Sequence, residues 1–438
     1  MRAAGIGFAG IEGAWWLPAR EPFVLPQSAA RDLAEIGQAV FILLDAVAEL
    51  YHTDPWVKAH LDYKVPAHLP RLMSAGRVES VRPDFQLVVT PRGYQFVATE
   101  LEMCPSAHGF AHAMQIGYGL QPDLVETFAW YLKGRAFIFV GTEQWSEFVI
   151  EQLAFCRALE HAGARGFVLY DRPLAVIAEE FRQGQRWQPP MFGVRSKPAE
   201  WNDDLLGRLR ADDLLRYVWP NDTVWPEDVG DAVVFRFGYC DCFAPDRLDA
   251  FLRWQTRGAT LLNPAQFILD SKAILSALDL ARVRLAVTHP GVLSILRRCI
   301  PRTGLLEARL EAAYQTNKDQ WVLKYAGFDG GHQAWGGRSL QIGAAHTPES
   351  WAQAVRQAAD LPWPVVVQQA VPSARVDIEY MDANDHPQVL RHGVTRLRTF
   401  FLRDGDQAAV CGSHVTVSGS AQVSEAVDSV QAPVLFQG

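Results

Sequence analysis

Between Trp321 and Leu340 the chain reads WVLKYAGFDGGHQAWGGRSL, residue types whose order suits the holding of a phosphate. Trp321, Val322 and Leu323 have the bulky composition of a buried strand, so Lys324 leaves the strand's end on a fixed backbone where an ammonium can grip an anion. Gly327, Gly330, Gly331, Gly336 and Gly337 then allow the backbone to fold close over oxygen atoms with N–H groups turned toward negative charge. Arg338 adds a forked donor. The stretch matches neither the P-loop nor the dinucleotide fingerprint, and a glycine-rich hairpin with a surface lysine is the alternative.

A second group carries oxygen. Arg82 to Phe110 reads as two β-rich runs joined by Thr90-Pro91-Arg92-Gly93, with proline and glycine where a tight turn wants them. Alternation puts Glu100 and Glu102 on one face of the second strand, about 7 Å apart along it, with Asp84 starting the adjacent strand. Three such carboxylates repel one another unless a cation lies among them, and hard oxygen ligands suit Mg²⁺ shared with a nucleotide's phosphates. The alternative is a solvated hairpin face. Ser106 and the helix expected from Ala111 to Tyr118 offer a hydroxyl and backbone N–H groups to an anion.

Further along, Asp270-Ser271-Lys272 opens an apolar-periodic helix through Leu278, which places Lys272 near a helix N-terminus as a second phosphate lysine or else a surface one. Gln368 and Gln369 end the apolar strand Val365 to Gln369, where amides can read a purine edge. Arg391, Arg396, Arg398 and Arg403 line the following β-rich runs as anion clamps, about half of them expected to face water. Arg236 lies inside an apolar strand, paired in the core or ligand-facing. Cys240-Asp241-Cys242 lacks enough partners for a metal site, and none of the six cysteines forms a CxxC pair, so reduced thiols are expected.

These residues need a scaffold, and the pattern is α/β. A helix running from Ser28 as N-cap toward His52 shows Leu33, Ile36, Val40, Leu44 and Val47 at three- and four-residue steps. From about Lys133 to Pro264, strands FIFVG, FVLY, DAVVFRFGY and ATLLNP alternate with helices, as in a largely parallel sheet covered on both faces. Four regions are expected: a helical segment at 1–80, the carboxylate hairpin and helix at 81–134, a layered α/β domain at 135–262, and the lysine, glycine-loop and hinge region at 263–438.

At 438 residues with 49% hydrophobic and 21% charged residues, the composition is globular, and no run approaches the roughly 18 apolar residues of a membrane span. A net charge of −8 without a basic run argues against nucleic acid as a partner. The first residues show no apolar block of signal-peptide length, so the cytoplasm is the expected location. The final VLFQG matches a pattern cut by picornaviral cysteine proteases and carries no functional reading.

Taken in order, the pieces resemble the circularly permuted ATP-grasp enzymes related to glutathionylspermidine synthetase, in which metal-binding carboxylates precede nucleotide-binding lysines. Arg82-Pro83-Asp84 and Glu100-Leu101-Glu102, followed by Ser106, resemble that family's RxD and ExN segments, with Glu102 where asparagine is usual. Asn263-Pro264 and Asp270-Ser271-Lys272 resemble the segment of its first lysine. Trp321 to Gly331 resembles its K-P-x-x-G-R-E-G strand and loop, with Tyr325 in place of the proline. The resemblance spans most of residues 80–417. It implies an ATP-grasp-like fold with a three-layer α/β pre-ATP-grasp region, and an ADP-forming ligase joining a small carboxylate to an amine through an acyl phosphate. ATP would lie on Lys272, Lys324, Gly327, Gly330, Gly331, Gln368 and Gln369, and Mg²⁺ on Asp84, Glu100 and Glu102. Arg82 would hold the attacking carboxylate, and Ser106 and Arg338 would serve the transfer. No membrane partner is expected, and a homodimer is left open. A non-catalytic nucleotide-binding protein and a small-molecule phosphotransferase are the rival readings.

Overall fold

The computed structural model describes residues 16–71, 73–183, 205–329, 339–382, 386–420 and 429–438. Its strands fall into three sheets, each built from a continuous block of the chain except the largest. Four strands, β1 (Trp16–Pro18), β2 (Phe23–Pro26), β3 (Ser80–Thr90) and β4 (Gly93–Glu102), come first. The chain then builds a four-stranded sheet from β5 (Ala136–Gly141), β6 (Arg165–Tyr170), β7 (Val233–Phe237) and β8 (Thr260–Leu261), and a second from β9 (Thr303–Leu305), β10 (Trp321–Tyr325), β11 (Gln341–Ile342) and β12 (Val365–Gln369). It returns with β13 (Arg375–Met381), β14 (Pro387–Asp404), β15 (Gln407–Ser418) and β16 (Ser429–Gln437) to complete an eight-stranded sheet. In that sheet β16, β15, β14, β3 and β4 lie side by side, β13 continues along β14, and β1 and β2 each pair in parallel with β16.

The sheet of β6, β5, β7 and β8 is parallel throughout, as strands alternating with helices require. The sheet of β11, β10, β12 and β9 is antiparallel. One face of it carries Leu323, Val365 and Val367 against Trp351 and Val355 of the helix Pro348–Ala359. The opposite face, with Lys324, Val366 and Gln368, is left for other business.

The long helix Gln27–Thr53 covers the large sheet. Leu33, Ile36, Val40, Leu44 and Val47 are all buried in the same core as Phe85, Leu397, Phe401 and Val415, each worth about 1.5–3 kcal/mol over exposure. Its start differs from expectation: the helix begins at Gln27, directly after Pro26, and Ser28 is its second residue and not its cap. The proline fixes an extended φ and ends β2 in the same step. Lys272 likewise opens a short 3₁₀ turn, Lys272–Ser276, before the helix Ala277–Thr288 begins. Val434 to Gln437 of the terminal VLFQG pair with β2 as part of β16. All six cysteines are free, and among the described residues no helix is long and apolar enough to cross a membrane.

Candidate active site

The hairpin of β3 and β4 sets the register of the charged residues. Arg82 lies opposite Glu102 and Asp84 opposite Glu100, while β14 places Arg398 opposite Asp84 and Arg396 opposite Gln86. Directly opposed residues share a face with Cβ atoms about 5 Å apart, so Glu100, Asp84, Arg398 and His414 form a row across four adjacent strands. Every member is buried. Burial alone would raise the Asp84 carboxyl, yet Arg398 at 3.3 Å, Arg82 at 3.3 Å and Arg396 at 3.6 Å outweigh it and bring it down to about 2. Asp84, expected as a metal ligand, is thus committed to three guanidinium groups.

Glu100 and Glu102 touch each other instead. Burial works against charge on Glu100, but the Lys272 ammonium, 2.7 Å from Oε1, outweighs it and holds the carboxyl below its ordinary value. Burial and the Glu100 charge push the Glu102 carboxyl well above its ordinary value, so the two carboxyls of the pair differ in their hold on a proton. Glu102 Oε2 is buried with no hydrogen-bond partner among the described residues. No group of three His, Cys, Asp or Glu side chains among those residues is placed to hold a metal ion. Mg²⁺ commonly takes only one or two carboxylates and fills its octahedron with phosphate oxygens and water, so the Glu100–Glu102 pair, with its orphaned oxygen, fits it as a pair.

The two lysines reach this place by different routes. Asp270 is clamped by Arg236, whose Nη2 lies 2.7 Å from Oδ1 and Nη1 3.1 Å from Oδ2, and it also accepts from the Cys240 amide at 2.7 Å. Arg236 is therefore a core brace, the first of its two readings. The Ser271 hydroxyl accepts from the Ala273 amide, the Lys272 amide donates to the Ala326 carbonyl, and the ammonium is delivered to Glu100. Lys324 projects from β10 toward the hairpin, donating to the Thr99 carbonyl at 2.9 Å and to Gln368 Oε1 at 2.9 Å. Burial lowers it to about 7; Glu100 opposes that fall, while Arg396 and Lys272 add to it. Gly327 follows at φ 151°, a backbone angle that L side chains rarely adopt. Gly330, Gly331 and Arg338 lie outside the described residues.

A cleft of about 600 Å³, lined by neither lysine, lies farther along the same hairpin and reaches Thr303 and Gln369. Val88, Val97, Leu275 and Ile300 give it apolar walls, Gln369 to Pro372 close one side, and Arg298 and Asp279 stand among its charged lining. Its Thr303 hydroxyl accepts from Gln368 Nε2 at 3.0 Å, so the cleft wall is joined through Gln368 to Lys324. The two glutamines, read together from sequence, have separate positions: Gln369 lines the cleft, and both ends of the Gln368 amide are spent inside the protein. Thr303, with no motif around it, was not readable in advance.

At Ser106 the expectation of an open anion site meets an internal anion. Arg82 Nη1 donates to the Ser106 carbonyl at 2.8 Å. The helix His108–Gly117 then begins, and the Glu151 carboxylate accepts from the amides of Ala107 at 2.7 Å, Gly109 at 2.8 Å and Phe110 at 3.3 Å. A Cβ on Gly109 would stand 2.0 Å from the Glu151 carbonyl, so only glycine lets the two segments meet. Burial raises the Glu151 carboxyl to about 7 against the pull of these amides. Of the four C-terminal arginines, Arg396 and Arg398 face this site, Arg403 is spent on Asp45, and Arg391 pairs at the surface with Asp377.

No protein-family model matches the chain, and no curated protein sequence matches it. Among solved structures it is similar to a glutathione synthetase-like effector from Globodera pallida in its apo form, with 11% identity and a TM-score of 0.56 over 100% of this chain and 96% of that one. A provisionally named γ-glutamylcysteine synthetase from Methylobacillus flagellatus is also similar, with 11% identity and a TM-score of 0.40 over 95% of this chain and 88% of that one. At such identity a likeness speaks for architecture alone, and the mixed α/β chain shares its fold with the glutathione synthetase-like effector.

Proposed function

We propose that the protein is an ATP- and Mg²⁺-dependent carboxylate–amine ligase of the circularly permuted ATP-grasp kind, forming an amide through an acyl phosphate in the cytoplasm. The observation that carries this is the convergence of Lys272 and Lys324, from separate elements, on the Glu100–Glu102 carboxylate pair, with a cleft of nucleotide size joined to Lys324 through Thr303 and Gln368. The base would lie between the Val88 and Val97 wall and the segment Gln369 to Pro372, with the phosphates toward the lysines. Mg²⁺ on Glu100 and Glu102 would neutralise charge on those phosphates. Arg82 orients the substrate carboxylate, one oxygen of which attacks the terminal phosphorus as ADP leaves. The amine then attacks the acyl carbon and expels phosphate. Gly327, Gly330 and Gly331 would fold over the phosphates, and Ser106 and Arg338 keep the roles that the family resemblance implies.

Supplied with ATP, Mg²⁺, hydroxylamine and a panel of small carboxylic acids, the protein should form a hydroxamate and release ADP with the acid it accepts. AMP and pyrophosphate in place of ADP and phosphate would refute the mechanism. One observation favours a nucleotide-binding protein without turnover: Asp84 is already neutralised by three arginines. Tight ADP binding with no ATP consumption by any acid and amine would decide for that reading.

A further inference from the structure

Arg396 is a buried cation without an adequate partner. Its side chain is 9% exposed, and its one ion pair among the described residues is with Asp84 Oδ2, 3.6 Å from Nη1 and beyond hydrogen-bond reach. Nε is wholly buried and unpaired, as is Nε of Arg82. Buried guanidinium groups are ordinarily hydrogen-bonded on several of their five donors, and leaving them bare is costly. Arg398 is better served, through Asp84 and the Thr416 hydroxyl, which in turn donates to Gln431 Oε1 at 2.9 Å. The other groups facing this cluster do not cancel its charge. Glu100 is taken by Lys272, Glu102 lies against Glu100, and His414 is kept neutral by burial and by Arg398 and Arg82. Arg82, Arg396 and Arg398 all turn to the one carboxylate of Asp84, whose two oxygens cannot fill the donors of three guanidinium groups.

The unpaired donors, around a single shared carboxylate, point to an anion that is not part of the protein. We infer that the acid substrate is a dicarboxylate, whose second carboxylate is held by the forks of Arg396 and Arg398 while Arg82 orients the one that reacts. Arg396 and Arg398 are two residues apart on one face of β14, about 7 Å apart along the strand at the backbone, and their guanidinium groups converge on Asp84 Oδ2 at 3.6 and 3.3 Å. A planar guanidinium binds a carboxylate through two parallel hydrogen bonds, which a single phosphate lysine cannot imitate. Which carboxylate reacts rests on the ligase reading; the binding of a diacid by the arginines does not.

The test is calorimetric titration of the full chain, without nucleotide, by acetate, malonate, succinate, glutarate and inorganic phosphate, with Mg²⁺–ADP titrated separately. At least one dicarboxylate should bind ten-fold or more tightly than acetate. Arg396→Met should weaken that binding about ten- to hundred-fold, the loss of one charge-assisted fork, and by more than it weakens ADP. Arg396→Lys, which keeps charge and volume if the methionine variant does not fold, should still lose most of the preference for two carboxylates over one. Arg391→Ala, at the surface of the same strand, should leave the titration unchanged. Dicarboxylates no tighter than acetate, or tight binding of phosphate alone, would overturn the inference even with ADP binding intact. ADP failing to bind while a dicarboxylate does would refute the nucleotide reading and leave the arginine site standing.

Discussion

Replacing Glu151 by glutamine isolates an internal carboxylate that holds the loop beside Arg82. In the folded protein its carboxyl titrates at about 7 against 4.5 when unburied. Between those values the native state holds a proton that the unfolded chain has released, so ν of the native state exceeds that of the unfolded one and stability falls as pH rises. At 1.36 kcal/mol per unit, the loss attributable to this group is about 3 kcal/mol, complete above pH 7 and absent below 4.5. Glutamine has no such titration. It does lose an acceptor, because its Nε2 meets one of the amides of Ala107, Gly109 and Phe110 as donor against donor, which costs about 1–3 kcal/mol. The variant should therefore be the less stable at pH 5, with the gap to the parent closing or reversing by about 2.5 kcal/mol between pH 5 and pH 8. Urea unfolding at half-unit steps of pH measures this, and since every other titrating group is common to both chains, the difference curve belongs to Glu151. Parallel stability curves from pH 5 to 8 would refute the reasoning.

Three further outcomes follow from the same geometry. Lys324→Met should weaken Mg²⁺–ADP binding about ten-fold or more, and in the parent, whose lysine titrates near 7, nucleotide binding at pH 8 should take up a proton; calorimetry in two buffers of different ionisation enthalpy shows both, and no proton uptake would place the ammonium elsewhere. Glu102→Gln, replacing the carboxyl that burial and Glu100 already push toward its neutral form, should cost less stability than the loss of Glu100 while raising the Mg²⁺ concentration needed for turnover. Glu100→Gln should cost several kcal/mol by stranding Lys272, and equal denaturation midpoints for the two variants would contradict the pairing of Lys272 with Glu100. Gly109→Ala should destabilise by about 2 kcal/mol or more, because the added methyl meets the Glu151 carbonyl at 2.0 Å; an unchanged melting temperature would mean that the helix start is not fixed there.

What could be read in advance was local. The turn at Thr90 to Gly93 and the alternation after it fixed which face Glu100 and Glu102 share, because a strand's period is two whatever surrounds it. The stripe from Leu33 to Val47 and the parallel sheet were legible for the same reason of periodicity. What escaped depended on distant partners. Nothing near Asp84 says that β14 will bring two arginines beside it, and nothing near Ser106 says that Glu151 will fill the helix start. Arg396 and Arg398 did carry a usable signal: two arginines alternating with Thr395, Leu397 and Thr399 in a strand belong on one face together, and Leu397 in the core assigns that face away from the long helix.

The eight-stranded sheet joins β3 directly to β14, so strands made early and late in synthesis are hydrogen-bonded neighbours at its centre. A ribosome releases the β3–β4 hairpin with one edge bare and its charged face unmatched, while β5 to β12 are still to be made. The two inserted sheets draw only on strands from their own blocks of chain and can close without waiting, whereas Asp84 finds Arg396 and Arg398 only when β14 arrives. Closing that long loop is slow for entropic reasons, so the charged face shared by β3, β4 and β14 is completed only after both inserted sheets have been made.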